Sequence, residues 1–203
     1  MKNRVYISDI PGIYYIDNFV KEKEINYIIN ESKDKLKKAQ VSFLEKEKDK
    51  DKYKNYTGRT NSSHWLDKNS DPISLKLCKR IAKEIDCDWE KFENYQVIYY
   101  GQNEEYKYHF DAYDKLSKEK YQKFCGERGN RLKTVLVYLN DVEEGGETGF
   151  KNIKDGIVNP NKGRMVVFEN VNKNNVIYKR SLHSGLPIIK GEKWAFNLWL
   201  REK

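Results

Sequence analysis

The sequence predicts an all-β barrel or jelly roll buttressed by N-terminal helices, on three observations. Amphipathic helical periodicity lies in residues 1–93. From residue 94 onward, short runs of aromatic and β-branched residues follow one another. Between those runs stand turn formers: Gly145-Gly146, Asn159-Pro160, Lys162-Gly163, Gly185 to Pro187 and Gly191. Helices first and many short strands afterwards is the order of a strand-rich core with helices packed on its outside. The chain of 203 residues suits one domain over 1–203, with 1–93 as helical support plus N-terminal strands and 94–203 as the core. There are no internal repeats, and no linker is long enough to separate two domains.

Taken in order, residues Val5 to Phe19 mix β-branched and aromatic residues around Pro11-Gly12, which predicts short extended pieces joined by a turn. After a cap at Asp17-Asn18, the spacing of Val20, Ile25, Ile28, Ile29 and Leu36 predicts a helix over 20–39. Glu45 to Lys54 is a run of alternating acids and lysines with almost no apolar content, expected to be a mobile surface loop, and Glu45 to Tyr56 is expected to order over bound peptide. Order returns at Arg59 to Leu66 as an edge strand leading into a turn. Asp71-Pro72 is a capping acid followed by proline at the first helical position, and Ile73, Leu77, Ile81 and Ile85 recur every fourth residue. A second amphipathic helix therefore ends near Asp86. Strands are expected at 94–100, 106–110, 132–139, 164–169, 175–182 and 193–201, with a polar insertion at 112–131.

Composition excludes several classes. No stretch approaches the ~20 apolar residues of a membrane-spanning helix. The N-terminus lacks the apolar block of a secretory signal, so a cytoplasmic or otherwise intracellular location is expected. The cysteines Cys78, Cys87 and Cys125 are odd in number and form no CxxC pair, which points to reduced thiols rather than a disulfide or zinc framework. The net charge of +8 reads as a solvated lysine-rich surface. No arginine-rich patch or nucleic-acid motif accompanies it, which argues against a nucleic-acid partner. Oligomeric state is not legible.

One constellation carries chemistry. His109 and Asp111 are two residues apart, so in extended backbone they project the same way, about two strand rises of ~3.3 Å apart. His183 lies far downstream between strand-like segments. Two histidines and one carboxylate are the ligand set of a non-haem Fe(II) centre with open positions for cosubstrate and oxygen. His64 is the third histidine, and a surface or packing role is expected for it. Glu143, Glu144 and Glu147 could form an acidic metal cluster, but beside Gly145-Gly146 they are expected to shape a turn.

From about Tyr95 to Arg201 the ordered motifs resemble the catalytic domain of the prolyl 4-hydroxylases, within the Fe(II)/2-oxoglutarate dioxygenase superfamily. They are Tyr106-x-x-His109-x-Asp111, Arg131-x-x-Thr134 running into Val135 to Leu139, Glu143 to Thr148, Lys162-Gly163, Ser181 to Gly185, and Lys190 to Trp194. Arg59-Thr60-Asn61-Ser62 resembles the family's N-terminal element. The resemblance implies a double-stranded β-helix (jelly roll, cupin-like) with the metal at its open mouth. It implies Fe(II) on His109, Asp111 and His183, 2-oxoglutarate and O₂ as cosubstrates, and ascorbate as reductant. Lys193 would pair with the C5 carboxylate of 2-oxoglutarate, Tyr106 and Thr148 would add hydroxyl hydrogen bonds to it, and Trp199 would line the pocket. Arg59, Ser62 and Arg131 would face the substrate, a proline-containing peptide or protein.

The flanking pattern of Lys193 agrees with an inward position: Trp194, Phe196, Leu198 and Leu200 take one face of the strand, leaving 193 on the other with Asn197 and Trp199. A buried cation there answers a carboxylate that would otherwise be desolvated alone. Leu186 departs from the cysteine common at that position, and the 112–131 insertion with Tyr113, Tyr121 and Phe124 matches the family poorly. Two other functions are compatible with parts of this pattern. One is a dioxygenase acting on another side chain, a nucleic acid or a small molecule. The other is a non-catalytic peptide-binding module, against which the intact triad and Lys193 argue. A three-histidine cupin site fails for want of a third nearby histidine.

Overall fold

The computed structural model describes residues 3–41 and 58–203. In chain order the elements are β1 (Val5–Ser8), β2 (Ile13–Ile16), α1 (Glu22–Ser32), β3 (Lys37–Lys38), β4 (Ser62–Leu66), α2 (Pro72–Glu84), β5 (Tyr95–Tyr100), β6 (Tyr106–His109) and α3 (Lys118–Cys125). There follow β7 (Arg131–Tyr138), β8 (Glu144–Gly145), β9 (Thr148–Phe150), β10 (Ile157–Val158), β11 (Met165–Glu169), β12 (His183–Gly185), β13 (Ile188–Lys190) and β14 (Lys193–Arg201). An eight-stranded sheet runs in the order β1-β2-β11-β7-β14-β5-β4-β3. It faces a four-stranded sheet, β10-β9-β12-β6, and a two-stranded ribbon joins β13 to β8. The pairings are antiparallel throughout, and the architecture is the double-stranded β-helix, or jelly roll.

Strand alternation divides the interior into two layers. On β14, Trp194, Phe196, Leu198 and Leu200 pack outward against α1 and α2, together with Val135 and Val137 of β7 and Val97 of β5. The opposite face of the same strands contributes Ala195, Leu136, Tyr138, Ile98 and Tyr100 to a second core between the sheets. Lys193, Asn197 and Trp199 share this inner face with Ala195, as the period of two requires.

The helices follow their sequence signals unequally. Asp71 caps α2 by accepting from the Ile73 amide at 2.7 Å, and Leu77, Cys78, Ile81 and Ala82 are buried against the sheet. The first helix is shorter than the expected 20–39. Its start is displaced because the Phe19 and Val20 amides bond the Gly163 carbonyl at 2.8 and 3.1 Å, tying them to the turn before β11. Lys21, not Asp17 or Asn18, is the capping position, with its amide bonded to Glu24 at 2.9 Å. Its end comes at Ser32, after which Lys33–Lys35 tightens into a 3₁₀ turn and β3 pairs with β4.

The expected strand at 175–182 is absent. Asn172 instead folds the chain into a turn, its side chain accepting from the Asn174 and Val176 amides at 2.9 and 3.1 Å. A 3₁₀ turn over Lys179–Ser181 then leads into β12. The 112–131 insertion contains α3. Glu45 to Tyr56, expected to be a closing loop, lies outside the described residues. No described helix is long and apolar enough to cross a membrane.

Candidate metal centre and cosubstrate pocket

β6 and β12 are antiparallel neighbours, and their register sets His109 directly opposite His183. Asp111 follows two residues past the end of β6, beyond the strand rather than on it, and is buried. Its Oδ1 lies 3.6 Å from His109 Nε2 and its Oδ2 lies 3.7 Å from His183 Nε2. One donor atom from each residue falls within 4.8 Å of the other two, a spacing one ion could bridge. Both rings present Nε2 because Nδ1 is occupied: His109 Nδ1 meets the Lys107 carbonyl at 2.8 Å, and His183 Nδ1 meets the Ser181 carbonyl at 3.0 Å. Bonding of Nδ1–H to a carbonyl fixes the tautomer that leaves the Nε2 lone pair for a metal.

Electrostatics favour the ligand forms. Burial pushes His183 down to about 4, helped by His109 and opposed by Asp111, so its imidazole is neutral near pH 7. Burial works against a charged Asp111, but the adjoining imidazoles outweigh it and hold the carboxyl well below the usual carboxylate range. A neutral His183 beside an ionised Asp111 is the protonation state in which those two ligands can bind a divalent cation.

Behind the triad an inner pocket is closed by Tyr100, Tyr138, Thr148, Gly185 and Lys193. Lys193 begins β14, opposite Tyr100 on β5, and is 2% exposed. Its Nζ donates to the Gly146 carbonyl at 2.7 Å, and no carboxylate lies within ion-pair distance among the described residues. Burial lowers it to about 7, with Glu147 pulling the other way. A buried ammonium without a counter-ion is costly unless an anion joins it. Gly146 makes the arrangement possible: its φ is +74°, and a Cβ there would sit 2.6 Å from Ile188 Cδ1. Thr148 accepts a 2.6 Å hydrogen bond from the buried Tyr138 hydroxyl, which leaves its own proton free to point into the pocket.

In front of the triad lies an open groove of about 930 Å³. Tyr106 and His109 line both spaces. The Tyr106 ring stacks on His109 at 3.6 Å, with the Arg59 guanidinium 4.6 Å over the same ring. Arg59 is further held by Asn61, Gln96 and the Gln40 carbonyl. Arg131 grips Glu93 at 2.6 and 3.0 Å and lies 3.5 Å over Trp199. His64 also faces the groove.

Two expected positions shift. Trp199, expected beside the cosubstrate, stands six residues along β14 from Lys193 and lies in the groove against Trp65, while Asn197 takes the place in the inner pocket. Ser62 is not a groove residue; its neighbour Ser63 is. Glu143 pairs with the exposed Lys190 at 2.7 Å, and Glu144 forms β8 at the Gly145-Gly146 turn. Four further residues belong to the site without a sequence signal for it: Tyr100 and Tyr138 of the inner pocket, Thr134, which holds Asp111, and Asn170, which holds Thr134. Tyr100, Thr134 and Tyr138 fall on the inner-facing phase of strands whose alternation is visible in the sequence. Asn170 lies just past β11 and carries no such signal.

This fold, with a two-histidine, one-aspartate cluster between an open groove and a pocket whose lysine has no carboxylate partner among the described residues, defines a metal-dependent oxygenase scaffold. The chain belongs to the 2OG-Fe(II) oxygenase superfamily, whose model matches residues 95–201. It is similar to two Arabidopsis thaliana proteins, the probable prolyl 4-hydroxylases 7 and 6. Identity is 29% over 215 residues for the first and 31% over 212 for the second. The alignments take in 97% and 96% of this chain but 65% and 70% of those proteins, so the chain spans about two thirds of their length. Among solved structures it is similar to the viral collagen prolyl hydroxylase of Paramecium bursaria Chlorella virus-1, determined as a 2OG complex. That likeness has a TM-score of 0.69 at 26% identity over 93% of this chain and 95% of the other.

Proposed function

We propose that the protein is a prolyl 4-hydroxylase, which couples oxidative decarboxylation of 2-oxoglutarate to hydroxylation of proline in a peptide or protein. The observation that carries this reading is the position of the triad: His109 borders both the groove and the lysine-bearing pocket, so a peptide and a dicarboxylate can reach one metal from opposite sides. Residues 94–203 form the catalytic core in this reading.

The donor set suits Fe(II), which when bound supplies the activation of O₂. His109, Asp111 and His183 would hold the ion, each offering one ligand atom. Lys193 neutralises the far carboxylate of 2-oxoglutarate, and the Thr148 hydroxyl donates to it. Tyr100 is buried and its hydroxyl is pushed up to about 12, so it stays a neutral donor. Tyr106 stacks on His109 and fixes the ring plane. In the groove, Arg131 holds Trp199 and Arg59 holds Tyr106, so aromatic faces meet the peptide in set positions. In this reading ascorbate would be the accompanying reductant.

The test is incubation with proline-rich peptides, Fe(II), 2-oxoglutarate and ascorbate, followed by mass spectrometry and succinate assay. Hydroxyproline in step with succinate is the expected result. Succinate release indifferent to peptide, or oxidation of a methylated oligonucleotide instead, overturns the reading.

A further inference from the structure

The groove in front of the metal is unequal in charge. Among the described residues its cationic lining is Lys35, Lys37, Lys38, Lys107, Lys120, Arg59 and Arg131, seven against the two acids Asp111 and Asp114. The whole chain has 39 basic and 31 acidic residues, so the groove is far more lopsided than the protein around it. Several of the seven are already engaged: Arg59 by its three acceptors, Arg131 by Glu93, and Lys35 by Glu31 at 3.2 Å. Lys37, Lys38 and Lys107 are exposed, and none has a carboxylate within ion-pair distance among the described residues.

These three stand on two walls. Lys37 and Lys38 form β3, the edge of the eight-stranded sheet, while Lys107 lies on β6 of the opposing sheet. Between them the groove exposes aromatic surface: Trp65 is 46% exposed, Tyr108 44% and Phe110 39%. Solvent-facing rings in a groove offer flat apolar faces to pyrrolidine rings of an extended chain. Ammonium groups on both sides then favour carboxylates on the residues flanking that chain.

Resting on the prolyl hydroxylase reading, we propose that the substrate is an extended peptide whose target prolines are flanked by acidic residues, read by Lys37, Lys38 and Lys107. Lysines on an edge strand also guard against strand pairing, but that role is indifferent to the charge of the ligand.

The experiment uses the full chain loaded with 2-oxoglutarate and a redox-inert divalent metal. Three peptides share one proline core and carry Glu, Gln or Lys flanks, and their affinities are read by fluorescence anisotropy beside a single-stranded oligonucleotide of equal charge. The expected order is Glu tighter than Gln tighter than Lys, with about tenfold between the extremes, since exposed ion pairs contribute modestly each. At about 1 M salt, where the Debye length falls to ~3 Å, the order collapses. In the double variant K37E/K38E, and separately in Lys107→Glu, the preference narrows or inverts. Loss of fold cannot produce an inversion, because it would weaken all three peptides together.

Equal affinities, an order untouched by both variants, or tighter binding of the oligonucleotide than of the Glu peptide overturns the proposal. Charge-ordered binding without hydroxylation under turnover conditions supports the groove assignment and removes the reaction instead.

Discussion

Thr134 donates a 2.6 Å hydrogen bond to Oδ2 of Asp111, and the same hydroxyl accepts one at 2.9 Å from the Asn170 side-chain amide. Thr134 lies on β7 and Asn170 just after β11, strands that are direct neighbours in the large sheet. The aspartate that closes the metal cluster is thus anchored across the barrel to the rigid sheet. Both supporting residues are fully buried, so water does not compete for these bonds.

Replacing Thr134 by the isosteric valine removes that donor and leaves a buried carboxylate oxygen unsatisfied, which costs about 1–3 kcal/mol or more for a charged group. Loss of a group that orients a metal ligand weakens metal binding by roughly 10–100-fold. Co(II) titration followed by absorbance should show such a loss in Thr134→Val and near-normal affinity in Thr134→Ser. Equal affinity in all three proteins would mean that the carboxylate is positioned by its backbone alone.

Asp111→Ala should abolish metal-dependent decarboxylation of 2-oxoglutarate while circular dichroism shows the sheets intact. Asp111→Glu should fail as well: the added methylene moves the carboxylate by more than an ångström, and displacement on that scale can cost ~100-fold. Wild-type succinate release in the alanine variant would show that the metal sits elsewhere.

Much of this was legible in residues, and the failures have physical reasons. The strands β5, β6, β7, β11 and β14, α2 with its Asp71 cap, and the inward phase of Lys193 all follow from periodicity or capping chemistry, and each of those elements appears within about two residues of its expected span. Three of the four strands of the small sheet, β9, β10 and β12, are only two or three residues long and too short to carry a period. The amide bonds of Phe19 and Val20 to Gly163, which delay α1, join positions far apart in sequence and leave no local mark. Alternation puts Trp199 on the inner face of β14, but its position along the strand relative to the two cavities depends on cross-sheet packing. Residue type and spacing mark His109, Asp111 and His183 as candidates, whereas the pairing of β6 with β12 that brings His183 to His109 is a tertiary fact.

Gly146→Ala tests whether the carbonyl facing Lys193 depends on a glycine. A Cβ at φ +74° and 2.6 Å from Ile188 Cδ1 must strain the turn or displace the isoleucine. The expected outcome is a loss of about 1–3 kcal/mol in urea unfolding, together with a raised half-saturation for 2-oxoglutarate. A variant as stable as wild type would show that the turn relaxes freely.

Lys193→Ala removes one member of the charge pair proposed with 2-oxoglutarate, at roughly 3–5 kcal/mol. At ~1.4 kcal/mol per decade this is about two to three and a half orders of magnitude in 2-oxoglutarate affinity. Co(II) binding should change little, since the lysine contacts no metal ligand. An unchanged 2-oxoglutarate half-saturation would place the anchor elsewhere.

The same lysine predicts a proton linkage with a definite sign. Burial holds Lys193 at about 7 in the 2-oxoglutarate-free protein, against 10.5 in the unfolded chain. Between those values the unfolded state carries a proton that the folded state lacks, so this group makes stability rise with pH from about 7 towards 10. Lys193→Met should be more stable than wild type near neutrality, and the difference should shrink as pH rises. Cys78 and Cys87, pushed up to about 11 by burial, are shared by both proteins, so their opposite linkage above pH 9 cancels in the difference. Binding of the dicarboxylate requires the ammonium form, so at pH 8 association takes up close to one proton, and affinity falls by up to tenfold per pH unit above 7. Calorimetry in buffers of different ionisation enthalpy measures that uptake directly. Lys193→Arg, permanently charged, should abolish it. Zero proton uptake by the wild type at pH 8 would mean that Lys193 is already charged before the ligand arrives.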